Sequence, residues 1–98
     1  MKVIVCGGRN LTDKDYIYAG LNGVHFFQPI AFLVEGGQRT KDKTGTIIGG
    51  ADYWALCWAK DRSIPHWTCE AEWTRYGPSA GPRRNERMLS QSKPDAIV

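Results

Sequence analysis

Three glycine pairs, Gly7-Gly8, Gly36-Gly37 and Gly49-Gly50, carry the plainest chemical signal in the sequence. Without a Cβ, backbone N–H groups can close on an anion, and paired glycines make that approach in a tight loop. The pairs at 7-8 and 36-37 each follow an apolar run, and Arg9 and Asn10 stand directly after the first. A second concentration of anion-binding groups is Gly81-Pro82-Arg83-Arg84-Asn85-Glu86-Arg87, which sets three arginines in the first turns of a helix. Exposed cations at a helix N-terminus oppose its dipole by about 0.3 to 1 kcal/mol each. A phosphate or carboxylate held by Arg83 or Arg84 offsets that cost, and Asn85 then offers an amide to a sugar or base. The alternative is solvation, with Glu86 pairing one arginine. Trp73 and Tyr76, just before this helix, can stack on a base or pack in a core. Glu35 and Asp52 are the carboxylates nearest the glycine-rich segments, suited to a ribose hydroxyl or to helix capping, and capping is the default for Asp52.

No nucleophile and base declare themselves, so no catalytic residue is assigned. His25 and His66 are isolated, and Ser63, Ser79, Ser90 and Ser92 lack an elbow motif. Cys6, Cys57 and Cys69 are odd in number and show no C-x-x-C spacing, which reads as reduced thiols without a metal. Neither glycine segment is G-x-G-x-x-G or a loop ending in Gly-Lys-Ser/Thr, so a dinucleotide dehydrogenase and a standard NTPase are disfavoured. No cofactor is expected.

These residues need elements to position them. Val3-Ile4-Val5-Cys6 is a short β-branched run ended by glycine, the pattern of a strand buried on both faces. Thr12 can cap the helix that follows, with Asp15 at the capping-box position and Leu11 stapled to Tyr16. That helix shows Ile17, Leu21 and Val24 on one face. Residues 30–34 form a second strand, and residues 38–48 a polar, basic, mobile loop with no period that would bury it. Ala51, Trp54, Ala55, Trp58 and Ala59 make one stripe of a second helix. Residues 65–69 read as a third strand, and Trp73, Tyr76, Gly77 and Pro78 as a loop. Gly81-Pro82 opens a third helix, Lys93-Pro94 ends it, and residues 95–98 begin a fourth strand. The order β-α-β-α-β-α-β predicts a parallel sheet with right-handed crossovers and helices on both faces. Ligands of such sheets bind beyond the carboxyl ends of the strands.

Composition bounds the rest. Ninety-eight residues make one small domain over 1–98, and 42% hydrophobic with 23% charged residues is a globular composition. A net charge of +3 is too small for a dedicated duplex-DNA binder. Only four apolar residues separate Lys2 from Gly7, so the expectation is a cytoplasmic protein with no signal peptide and no membrane partner.

Taken in order, the motifs resemble a known family. Val3-Ile4-Val5-Cys6-Gly7-Gly8-Arg9-Asn10, Val34-Glu35-Gly36-Gly37, Gly49-Gly50-Ala51-Asp52 with Trp58-Ala59, Trp73 with Tyr76-Gly77, and Ala80-Gly81-Pro82-Arg83-Arg84-Asn85 with Met88-Leu89 are similar to the YspA-like family of the SLOG superfamily. That superfamily includes the Lonely Guy phosphoribohydrolases and the DprA proteins. The resemblance implies a Rossmann-like three-layer α/β sandwich of about four parallel strands and three helices. It also implies a nucleotide or nucleotide-derived ligand at Gly7, Gly8, Arg9, Asn10, Glu35, Gly36, Gly37, Gly50, Ala51, Asp52, Trp73, Arg83, Arg84 and Asn85. Two departures bear on activity. Residues 38–48 are inserted where the family runs almost directly into Gly-Ala-Asp, as a basic lid or a surface elaboration. Relatives continue past the fourth strand into a Gly-Gly-x-Gly-Thr loop, which this sequence lacks. The first expectation is therefore a ligand-binding domain, a sensor or a sequestering protein. The alternatives are a nucleoside 5'-monophosphate phosphoribohydrolase and a DprA-like binder of single-stranded nucleic acid, which is possible but not favoured. The resemblance further implies a homo-oligomer, with an interface on the second and third helices, and an open sheet edge or an exposed helix carrying Trp54 and Trp58 would favour self-association.

Overall fold

The structure, a computed structural model, describes residues 1–5, 13–92 and 94–97, the side chain of Trp73 excepted. The elements are β1 (Lys2–Val5), α1 (Lys14–Phe27), β2 (Phe32–Glu35), β3 (Thr40–Lys41), β4 (Ile47–Gly49), α2 (Ala51–Asp61), β5 (His66–Thr68), α3 (Trp73–Tyr76), a 3-10 turn (Gly77–Ser79), α4 (Ala80–Ser92) and β6 (Ala96–Ile97). Four strands form a parallel sheet in the order β5-β2-β1-β6. The chain steps outward from β1 to β2 to β5, then crosses back to place β6 on the other side of β1. That reversal is the switch point at which sheets of this kind open a crevice.

Alternation along the strands divides the core into two layers. Val3, Val5 and Leu33 point to one face, where they meet Leu21 of α1 and Ala55, Trp58 and Ala59 of α2. Ile4 and Val34 point to the other face, against Cys69 and Met88 of α4. Strands covered on both sides read as unbroken apolar runs, which is why the 3–5 and 32–34 segments show no alternation. With α1 and α2 on one face and α4 on the other, the fold is the layered, Rossmann-like α/β sandwich expected. Among the described residues, no helix is long and apolar enough to cross a membrane.

Several local expectations are corrected. The N-cap of α1 is Asp13, whose carboxylate accepts from Tyr16 N at 3.1 Å. Asp caps at least as well as Thr. Leu11, Thr12 and residues 6–10 lie outside the described residues. The 38–48 segment is no featureless loop, for β3 and β4 pair antiparallel as a small hairpin. Residues 73–79, read as a loop, are the helical α3 and the 3-10 turn. The following helix starts at Ala80, so Pro82 falls within its first turn, where an absent N–H forfeits no intrahelical bond. Trp58, on the apolar stripe expected of the second helix, is fully buried: its Nε1 donates to Asn22 Oδ1 at 2.9 Å, and its ring meets His25 edge-on at 5.4 Å.

Candidate functional site

β2 ends in Glu35 and runs directly into Gly36-Gly37, and from there the site is built. A cavity of about 400 Å³ opens at the carboxyl ends of β2 and β5, lined by Gly36, Gly37, Gln38, Arg39, Lys41, Glu70, Ala71 and Arg84. Gly37 has φ +77°, and a Cβ there would stand 2.9 Å from Glu70 Cγ, so conformation and space both call for glycine. Gly36 serves a different purpose. A Cβ on it would come within 2.6 Å of Arg84 Nη1 and 2.8 Å of Arg84 Cζ. Its bare backbone is what lets the guanidinium of α4 reach across to the end of β2.

Arg84 is 5% exposed. Its Nη1 donates to Gly36 O, and its Nε donates to Asn85 Oδ1 at 2.8 Å. Glu35 is fully buried, and its Oε1 accepts both from Gly37 N at 2.9 Å and from Arg39 Nη1 at 2.8 Å. Arg39 Nη1 also donates to Gln38 O at 2.9 Å, and the guanidinium lies 5.5 Å from the Tyr53 ring centre. One residue along, Gln38 N donates to Asp52 Oδ2 at 3.2 Å. Burial holds the Asp52 carboxyl above the ordinary carboxylate range. The Gln38 N–H draws it down, the charge of Glu35 adds to the rise, and Arg84 and Arg39 oppose it.

Asp52 does not cap its helix as expected by default. Gly50, with φ +106°, occupies the N-cap without a side-chain hydrogen bond, and Asp52 in the first turn reaches back to Gln38 instead. A carboxylate there still faces the positive end of the helix dipole.

The structure distributes the expected site residues unevenly. Gly36, Gly37 and Arg84 line the cavity, while Glu35 and Asp52 stand behind it and anchor its wall. Gly50 and Ala51 are buried where the hairpin enters α2 and do not line it. Asn85 is exposed and engaged with Arg84. Arg83 turns elsewhere: its Nε donates to Ser79 Oγ at 3.2 Å and its guanidinium lies 4.3 Å from the Tyr76 ring centre. Trp73 begins α3, with its side chain outside the described residues, as are Gly7, Gly8, Arg9 and Asn10. His66 is exposed, and His25 Nδ1 accepts from Ile30 N at 2.8 Å. Sequence reasoning did not name Gln38, Arg39, Lys41, Glu70 and Ala71. The available signal for the first three was the basic character of the insert, whose foot forms the cavity wall.

Residues 1–76 match the YspA, cpYpsA-related SLOG family. The chain belongs to this family. The SLOG match runs from β1 through α3, so it takes in the cavity lining from Gly36 to Ala71, and Arg84 on α4 lies beyond it. No curated protein and no solved structure matches the chain.

Proposed function

We propose that this SLOG-family chain binds a nucleotide or nucleotide-derived ligand in the cavity at the carboxyl edge of its sheet. The observation that carries the reading is convergence. Arg39 from the foot of the hairpin, Lys41 from β3 and Arg84 from α4 line one cavity in which Glu70 is the opposing carboxylate. A volume of about 400 Å³ lies within the range of small-molecule sites, roughly 300 to 1,000 Å³. Family membership points to the same ligand class. Mass spectrometry of material that copurifies with the protein tests the reading directly. Lys41→Glu reverses a charge on the cavity wall and should weaken binding of a nucleoside monophosphate by about tenfold or more in calorimetry. Arg83→Glu, outside the cavity, should leave it unchanged. Equal affinities in the two variants would defeat the proposal.

A second reading has its own observation: two buried carboxylates, Glu35 and Asp52, stand directly behind the cavity. Such a pair can assist an oxocarbenium-like transition state, as in N-glycosidic hydrolysis of a nucleoside monophosphate. Free base released from AMP or CMP, and abolished by Asp52→Asn, would favour it over binding alone. Self-association belongs to the same proposal. With Trp58 withdrawn into the core, the half-buried Trp54 and Leu56 of α2 and the exposed Leu89 of α4 are among the apolar residues those helices leave accessible. Sedimentation at micromolar concentration returning a mass near 11.0 kDa would remove it.

A further inference from the structure

We propose that the cavity takes up its anion together with a proton, held on Asp52 behind its wall. The inference rests on the anion-binding reading of the cavity and extends it to the regulation of that site. Among the described residues, each carboxylate has one oxygen engaged and one without a partner. Glu35 Oε1 and Asp52 Oδ2 accept from consecutive backbone amides, Gly37 N and Gln38 N. Glu35 Oε2 and Asp52 Oδ1 are buried and take no hydrogen bond from the described residues. The residues themselves are 0% and 4% exposed. A buried carboxylate oxygen without a donor carries a large desolvation cost, and two neighbouring carboxylates do not both ionise readily. A proton on Asp52 removes its charge from the buried site beside Glu35.

The coupling to the cavity runs through the arginines. The charged groups acting on Asp52 are Glu35 of β2, Arg39 at the hairpin foot and Arg84 of α4. Arg39 and Arg84 also line the cavity, where Lys41 and Glu70 face them. An anion entering there draws on the same guanidinium charge that compensates the carboxylates. Asp52 then binds its proton more tightly, and the proton is taken from solvent. Because linkage is reciprocal, protein with Asp52 protonated binds the anion more tightly. The affinity therefore rises as pH falls and levels off once Asp52 holds its proton with the cavity empty as well as filled.

Inorganic sulfate is the probe, because its double charge stays constant through neutral and mildly acidic solution. The full chain is titrated with sulfate at a series of pH values, with binding followed at the Gly37 and Gln38 amides by NMR. Affinity should rise as pH falls from neutrality toward the ordinary carboxylate value, by at most about tenfold per pH unit for one proton. Asp52→Asn is permanently neutral and should bind more tightly at neutral pH with little pH dependence. Glu35→Gln removes a like charge beside Asp52 and should move the dependence to lower pH without abolishing it, which guards against one variant failing to fold. Glu70→Gln should keep the slope. A flat profile in the unmodified protein, a slope that survives Asp52→Asn, or one removed by Glu70→Gln overturns the proposal while leaving the anion site standing. Sulfate that binds at no pH removes the anion site and the coupling together. Carboxyl ¹³C shifts in sulfate-free protein give a readout independent of the ligand. The Asp52 carboxyl should keep its proton above the usual carboxylate range, and an ordinary Asp52 titration would overturn the proposal.

Discussion

Arg84 and Gly36 form one unit, since the guanidinium fits only because the glycine has no side chain. Gly36→Ala would place a methyl group 2.6 Å from Nη1, displace the guanidinium and leave a buried carbonyl without its donor. The cost of such an orphaned group is about 1 to 3 kcal/mol, to be read from urea denaturation. A loss under about 0.5 kcal/mol, the scale of an ordinary surface change, would mean that the arginine relocates freely. Asp52 makes the opposite case. Its folded pKa is raised, so its favourable contribution is present below the ordinary carboxylate value and is lost as pH rises through the raised one. Asp52→Asn should therefore stabilise the protein at neutral pH, and the gain should shrink as pH falls. A gain in urea midpoint that is the same at acid and neutral pH would contradict this. Arg84 was legible in the sequence because cations at a helix start are anomalous. Arg39 was not, because a cation in a polar insert is ordinary until a buried carboxylate is found beneath it.

At the scale of elements, the hairpin is where sequence pattern and structure part. β3 and β4 are two and three residues long, too short for the alternation that marks a strand. What organises them is turn chemistry. Asp42 Oδ1 accepts from Thr44 N at 2.8 Å, Thr44 Oγ1 at 2.6 Å and Thr46 N at 3.0 Å, while Gly45 takes φ +86°. Asp-x-Thr-Gly-Thr was thus a readable turn signal inside a segment otherwise lacking periodicity. Those hydrogen bonds hold the Asp42 carboxyl below its ordinary value, Thr44 contributing most. Its support for the turn is present above the unfolded carboxylate value and is lost as pH falls through the lowered one. The Thr44 and Thr46 amide shifts should accordingly move toward random-coil positions only in acid, below the ordinary titration of aspartate. Asp42→Ala should produce the same shifts at neutral pH and leave the amides of β1 and β2 in place. Unchanged Thr44 and Thr46 amides in that variant would show that the hairpin is set by strand pairing alone.

Over the whole molecule, the parallel sheet and its three principal helices were legible because two-sided burial writes itself as apolar runs and stripes. The short α3 and the 3-10 turn were not, since Gly77 and Pro78 read as breaks and only the surrounding contacts make them helical. The two faces of the sheet are unequal. Among the described residues, eight buried ones form the cluster against α1 and α2, including Trp58 and Leu33, whereas four form the cluster against α4. Local opening follows buried apolar contact, so the α4 layer should be the first to yield. Hydrogen exchange should find the α2 and β2 amides near the global limit and those of α4 exchanging faster. Arg84 ties α4 to the cavity wall at Gly36, so a bound anion should slow exchange in α4 more than in α1, which contributes nothing to the cavity lining. Ligand-free protein in which α4 is protected as strongly as α2 would refute the unequal-layer argument. Anion binding that protects both faces alike would separate α4 from the site.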